Sequence, residues 1–329
     1  MQFYQLSSTE HRGYALDQSR RDSTLPNSFK VAARTLVFLI GLIGTGKADA
    51  GESPTLLEVP MLSASGLPCV GLSAGDYPPL KMLLDSKSEM SVLDVTIAAD
   101  MGLDVKPMIG PDGKPYAGCY VAIISDIRIG EVPIGDLQVK VVDLRSRIKK
   151  GTFPDADGSL AFSVLNGRIF RLDYLRHLVG ISKLLVQNAQ PPIDCGTLSH
   201  PAFGKNGPRT LVTTGFEING RPITAQIDTL FAGTVLIYPT SVEKLGPLDT
   251  NNSARKLAFP YTDDGAETIE GLARSEGFNN KALKTDAPIY LATSRGHMPN
   301  GMFDGTVGNA LFRGRVLTFD LAGQYFWLD

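Results

Sequence analysis

The chain has 329 residues and a formal net charge of −2; it is 43% hydrophobic and 20% charged, with 34 glycines and 21 prolines. That length allows two domains, each with its own core, and the balanced charge gives no footprint for nucleic acid. Abundant glycine and proline with few long helical periods favour many short strands and turns, and four scattered histidines with three cysteines outside any CxxC pair supply no metal or cofactor site.

The first fifty residues offer two readings. In "RTLVFLIGLIGTGKADA" (34–50), Gly41–Lys47 fits the phosphate-cradling spacing G-x-x-x-x-G-K. Ala48 follows where a Mg²⁺-binding Ser or Thr belongs, and no helical pattern continues. The stronger reading is an export signal over 1–50. Lys30 and Arg34 form its basic flank, Leu36–Ile43 its apolar core, and Ala48-Asp49-Ala50 its A-x-A cleavage site. The apolar run is too short for a stable membrane span. Cleavage after Ala50 makes the mature chain periplasmic or secreted. There Cys69, Cys119 and Cys195 allow at most one internal disulfide among three pairings, with three free thiols as the alternative.

Further along, "CVGLSAGDYPPLKMLLD" (69–85) predicts a hairpin with a long turn that ends in Asp85. A short strand and a helix over 94–103, ending at Gly102, follow. "MIGPDGKPYAGCYVAI" (108–123) reads as a second hairpin turning at Asp112-Gly113. The segments 120–130 and 137–144 read as strands. "QNAQPPIDCGTLSHPAFGKNGP" (187–208) reads as a linker. "LVTTGFEINGRPITAQID" (211–228) alternates around Asn219-Gly220, a hairpin signal, and ends in Asp228. A helix over 239–247 ends at Gly246, and "FPYTDDGAETIEGLA" (259–273) reads as the counterpart of the 108–123 hairpin.

These elements repeat. "DGSLAFSVLNGRIFRLD" (157–173) aligns without a gap on "DGTVGNALFRGRVLTFD" (304–320), with both end aspartates, two glycines and an arginine identical. "LKMLLDSKSEMSVL" (80–93) aligns on "ITAQIDTLFAGTVL" (223–236), which places Asp85 on Asp228, Ser86 on Thr229, and Ser91-Val92-Leu93 on Thr234-Val235-Leu236. The order and nearly the spacing of the two motifs are the same in both copies, as a duplicated domain requires. The division is an N-terminal lobe over 51–186, the linker 187–208, and a C-terminal lobe over 209–329.

At these residues the chain resembles the aspartic protease superfamily, in wording nearer the bacterial retropepsin-like proteins than the secreted pepsins. The family pattern is apolar-apolar-Asp-Thr/Ser-Gly followed by a later apolar-apolar-Gly, met here by "LLDS" with "SLA" and by "QIDT" with "TVG". The resemblance covers 65–329. It implies an all-β fold with short helices, in two acid-protease-like β-barrel lobes. It also implies Asp85 and Asp228 as a catalytic dyad, Ser86 and Thr229 as bonds between the two turns, and Tyr116, Asp112 and Gly113 as part of a cleft-covering flap. Two carboxylates so close share one proton: the charged one takes a proton from water, and the other donates to the substrate carbonyl. The implied ligand is a peptide or protein and the implied state a monomer.

Lys87 and Leu230 stand where each motif has glycine, and Ala161 stands where the first copy's later glycine belongs. Such bulk is expected to splay the turns, and a Lys87 ammonium facing the aspartates would keep both charged. Two functions remain open at this point: an exported aspartic-type endopeptidase with an altered dyad, or a pseudoprotease that binds peptides or protein partners.

Overall fold

In this computed structural model the described residues are 56–110, 112–149, 151, 153–182, 196–199, 211–218, 220–245, 249–252, 257–258, 268–269, 272–274, 278–280, 283–284, 288–291 and 303–329. The expected export signal, Cys195, most of the expected linker, Asn219, Gly246 and the turn of the 259–273 hairpin lie outside them.

The first half runs β1 (Leu56–Pro60), β2 (Leu67–Ala74), β3 (Tyr77–Asp85), β4 (Ser91–Asp94), α1 (Val95–Asp100), β5 (Lys106–Ile109), β6 (Pro115–Ile129), β7 (Val132–Val142), α2 (Leu144–Lys149), β8 (Gly158–Ala161), β9 (Ile169–Asp173) and β10 (Leu178–Ser182). Alternation fixes the faces of β3. Leu80, Met82 and Leu84 enter the main core, while Leu83 on the opposite face joins a second cluster with Leu67 and Cys69. The chain stops being helical soon after it starts. Asp94 caps α1 by accepting from the Thr96 amide at 2.9 Å, and Gly102 follows the helix at φ +66°. The β2–β3 hairpin turns in two residues, with Ala74 opposite Tyr77, so the longer turn expected there is absent. Strands β2, β3, β8, β4, β7 and β6 pair in that order, and β6 returns to β2, closing a six-stranded barrel.

The second half runs β11 (Gly196–Ser199), β12 (Val212–Ile218), β13 (Arg221–Asp228), β14 (Val235–Ile237), α3 (Val242–Leu245), β15 (Leu272–Arg274), β16 (Pro288–Leu291), β17 (Gly305–Gly308), α4 (Asn309–Phe312), β18 (Val316–Asp320) and β19 (Tyr325–Leu328). The order β12, β13, β17, β14, β16, β15 repeats β2, β3, β8, β4, β7, β6 strand for strand. The sense of every pairing is kept: the β3–β8 and β4–β7 pairs are parallel, as are β13–β17 and β14–β16, and the other pairs are antiparallel. Strand β11 falls inside the segment read as linker.

An antiparallel sheet in the order β1, β10, β9, β18, β19, β11 joins the halves. At its centre Ile169 lies opposite Asp320, Arg171 opposite Thr318, and Asp173 opposite Val316. Arg171 and Thr318 are equivalent positions of the repeat, so the two copies of one strand pair with each other about a local twofold axis. The ring of Phe162 meets Phe170 of the first half and Phe319 of the second edge-on, at 5.0 and 5.2 Å between centroids. The fold is all-β with short helices. Two copies of one strand plan bring two aspartate turns together, which is an acid-protease-like architecture.

The repeated end aspartates hold turns. Asp157 accepts from the Lys81 amide at 2.8 Å and Asp304 from the equivalent Thr224 amide at 2.8 Å. Asp173 accepts from the amides of Leu175 and Arg176, and Asp320 from those of Ala322 and Gly323. The repeated Gly167 and Gly314 both take φ above +70°, a region that side chains disfavour.

Candidate functional site

Asp85 and Asp228 end the equivalent strands β3 and β13. Each is flanked in parallel register by the second motif of its own half, Asp85 beside Ala161 and Asp228 beside Gly308. The chain turns sharply after each one, and the carboxylate closes that turn. Oδ1 of Asp85 accepts the amides of Lys87 and Ser88, both at 3.0 Å, and Oδ1 of Asp228 accepts those of Leu230 and Phe231 at 2.9 and 3.0 Å. The outer oxygens differ. Asp85 Oδ2 accepts the Ser88 hydroxyl at 2.6 Å, whereas Asp228 Oδ2 lies 3.5 Å from the Lys87 ammonium.

The next residue in each turn reaches into the other half. The Ser86 hydroxyl donates to Ile227 O at 2.8 Å, and the Thr229 hydroxyl donates to the equivalent Leu84 O. The Ser86 amide donates to Thr229 Oγ1 at 3.1 Å, and the Thr229 amide to Ser86 Oγ at 3.0 Å. All these groups are buried, so each bond satisfies a donor or acceptor that water cannot reach.

The third residue corrects the expectation of splayed turns. Leu230 is buried in a cluster with Leu67, Cys69, Leu83 and Ala156, all from the first half. That burial contributes about 1.5–3 kcal/mol to holding the halves together. Lys87 also crosses the axis, but to a carboxylate. Its side chain is 39% exposed, so the ion pair itself adds about 1 kcal/mol or less to stability. Its effect is on charge. Burial would lower the Lys87 ammonium, but Asp228, Tyr238 and Asp85 outweigh it, and its pKa stands above the ordinary lysine value. Asp85 is pushed up from the ordinary carboxylate range, first by burial and then by the charge of Asp228, against the opposing bonds from Ser88 and Lys87.

The loss of one later glycine has a local counterpart. A Cβ on Gly308 would lie 2.4 Å from Phe231 Cδ1 and 2.5 Å from Gly233 O. The residue of the first turn that matches Phe231, by its amide bond to the aspartate, is the small Ser88. The second turn is also one residue longer. Val92 faces Ser159 while Leu236 faces Thr306, so Ser91-Val92-Leu93 matches Val235-Leu236-Ile237 rather than the ungapped alignment. Accordingly Ala161 donates its amide to the Ser91 hydroxyl at 3.0 Å, whereas Gly308 donates to the Thr234 carbonyl at 2.7 Å.

Tyr116, Asp112 and Gly113 sit on the hairpin of β5 and β6. Asp112 accepts its own turn's Lys114 amide at 3.1 Å, and Gly113 holds φ +77°. The Tyr116 ring packs against Gly110 and is 48% exposed. The observed contacts of these three residues are within the hairpin. Strands 257–258 and 268–269 pair antiparallel around the second expected hairpin. Ser88 was not singled out in the sequence; the pattern Asp-Ser-x-Ser was the available signal. Cys69 and Cys119 are free thiols, and burial pushes Cys69 up to about 11. Among the described residues no group of three or more His, Cys, Asp or Glu could hold a metal ion, and no helix is long and apolar enough to cross a membrane.

No family model and no curated protein matches this sequence. Among solved structures the chain is similar to conglutin gamma, a basic 7S globulin from lupine seeds, at 10% identity over 84% of this chain and 95% of that one, with a TM-score of 0.46. It is similar to basic 7S globulin from soybean at 11% identity over 84% and 95%, with a TM-score of 0.42. A retropepsin-like aspartic protease from Rickettsia conorii matches at 18% identity over 39% of this chain and 93% of that one, with a TM-score of 0.27.

Proposed function

We propose that this chain is an exported, monomeric peptide-binding pseudoprotease. Its lobes span 51–186 and 209–329 about the linker 187–208, and cleavage after Ala50 releases it to the periplasm or beyond. The reading rests on one observation, the Lys87 ammonium 3.5 Å from Asp228 Oδ2. Hydrolysis by a carboxylate pair needs an ionised oxygen free to take a proton from water and a neutral partner to donate one. A lysine beside Asp228 Oδ2 competes with water for that oxygen and supplies an internal counter-charge. What remains is a carboxylate pair with an internal cation, suited to holding the amides and termini of a peptide.

The second reading is hydrolysis. It is favoured by Asp85, which burial and the charge of Asp228 hold toward the neutral acid that the donor role requires. Incubation of residues 51–329 with a mixed peptide library from pH 3 to 7 separates the two. The expected result is peptide co-eluting with the protein and no new termini by mass spectrometry. Cleavage by the parent, lost in both Asp85→Asn and Asp228→Asn, would establish the peptidase instead.

A further inference from the structure

The surroundings of the two carboxylates keep most of what a hydrolytic pair needs. The Ser86 and Thr229 bonds between the halves are complete and reciprocal. Both inner oxygens are held by two amides each. Leu230, the bulkier apolar replacement, is folded away among first-half side chains. Ala161 sits in regular parallel register beside Asp85, with its amide satisfied by Ser91. Of the three departures from the glycine pattern, only Lys87 places a charged atom against a carboxylate oxygen.

Resting on the non-hydrolytic reading above, we infer that Lys87 is a built-in block and that the chain is a latent aspartic-type peptidase, one side chain from activity. The ammonium lies within reach of Asp228 Oδ2, on the side of that carboxylate its own turn leaves open. Removing it frees that oxygen for water. The water oxygen then bonds to the peptide carbonyl carbon, and its proton passes to Asp228. Protonated Asp85 gives its proton to the carbonyl oxygen, forming a tetrahedral diol. Asp228 returns its proton to the amide nitrogen, one diol hydroxyl returns a proton to Asp85, and the C–N bond breaks to a carboxylic acid and an amine. Lys87 is 39% exposed, so truncating it opens the site to solvent and leaves no sealed cavity.

The test uses the full mature chain with Lys87→Gly and Lys87→Met, each alone and combined with Asp228→Asn. Cleavage of the peptide library from pH 3 to 7 is read by mass spectrometry, and folding by near-ultraviolet circular dichroism. The expected result is a silent parent and cleavage by both single variants at least about 10²-fold above its background, a typical worth of positioned acid–base groups. That cleavage should vanish with Asp228→Asn. Folded Lys87 variants that cleave no faster than the parent would overturn the inference. So would cleavage that survives Asp228→Asn, or loss of fold in both variants, which would make the ion pair a structural strut. Cleavage by the parent sinks the binding reading itself and is seen before any Lys87 variant is made.

Discussion

Replacing Thr229 by valine tests whether the bonds between the aspartate turns hold the halves together. Thr229 is fully buried, and valine keeps its shape, so no cavity confuses the result. Three contacts are lost: the donation to Leu84 O, the bond accepted from the Ser86 amide at 3.1 Å, and the contact with Ser86 Oγ at 3.2 Å. A buried group left without its partner costs about 1–3 kcal/mol, so orphaning the Ser86 N–H and the Leu84 carbonyl costs about 2–6 kcal/mol together. At about 2–4 °C per kcal/mol for a chain of this size class, Tm falls by at least about 4 °C. Ser86→Ala should cost a similar amount through Ile227 O and the Thr229 amide. The double variant should fall short of the sum by about 0.5 kcal/mol or more, because the two hydroxyls touch. The assay is urea unfolding of residues 51–329, followed by circular dichroism. A Thr229→Val midpoint indistinguishable from the parent would refute the account of the turns as the joint between halves.

Other substitutions read the charges and the packing. The folded pKa of Asp85 lies above its unfolded value, so this group's contribution is fully present below about pH 3.9 and is lost as pH rises through the folded pKa. Asp85→Asn should therefore gain stability relative to the parent at pH 7 but not at pH 3; a parent that is the more stable of the two at pH 7 contradicts this. Asp304 has the opposite sign. Burial would raise it, but the Lys244 ammonium, the Thr224 amide and Ser241 bring it below the ordinary value. Its contribution is present above the unfolded pKa and lost as pH falls through the depressed one. Lys244→Met should move the acid-unfolding midpoint to higher pH, and an unchanged midpoint would count against the pairing. Gly308→Ala drives a methyl into Phe231 and the Gly233 carbonyl and should cost about 1–3 kcal/mol by thermal unfolding. Ala161→Gly, in the half whose turn carries the smaller Ser88 in place of Phe231, should cost about 1 kcal/mol or less, the entropy of a glycine.

The duplication was legible because the residues that hold turns are chemically specific. Asp157, Asp173 and their mates cap the same amides, and Gly167 and Gly314 turn the same corner. The extra residue in the second aspartate turn was hidden, because Ser91 and Thr234 look like equivalents while one bonds through its hydroxyl and the other through its carbonyl. The direction of Lys87 and Leu230 was hidden for another reason. Both side chains end among residues of the opposite half, and no local pattern encodes a partner so distant in sequence. Strand β11 was masked by its setting in proline, glycine and polar residues, and its pairing with β12 and β19 overrides local propensity.

The twofold strand pairing at Arg171 and Thr318 carries a consequence for what the chain can evolve. Two identical chains meeting about such an axis must repeat every change: a lysine after one aspartate would mean a lysine after both, two cations confronting two carboxylates. Tandem fusion releases that constraint. One turn could take an apolar anchor that seats it in its neighbour, and the other a cation that faces the neighbour's acid. The centre thereby has two unlike sides, one anchored by an apolar side chain and the other carrying a cation.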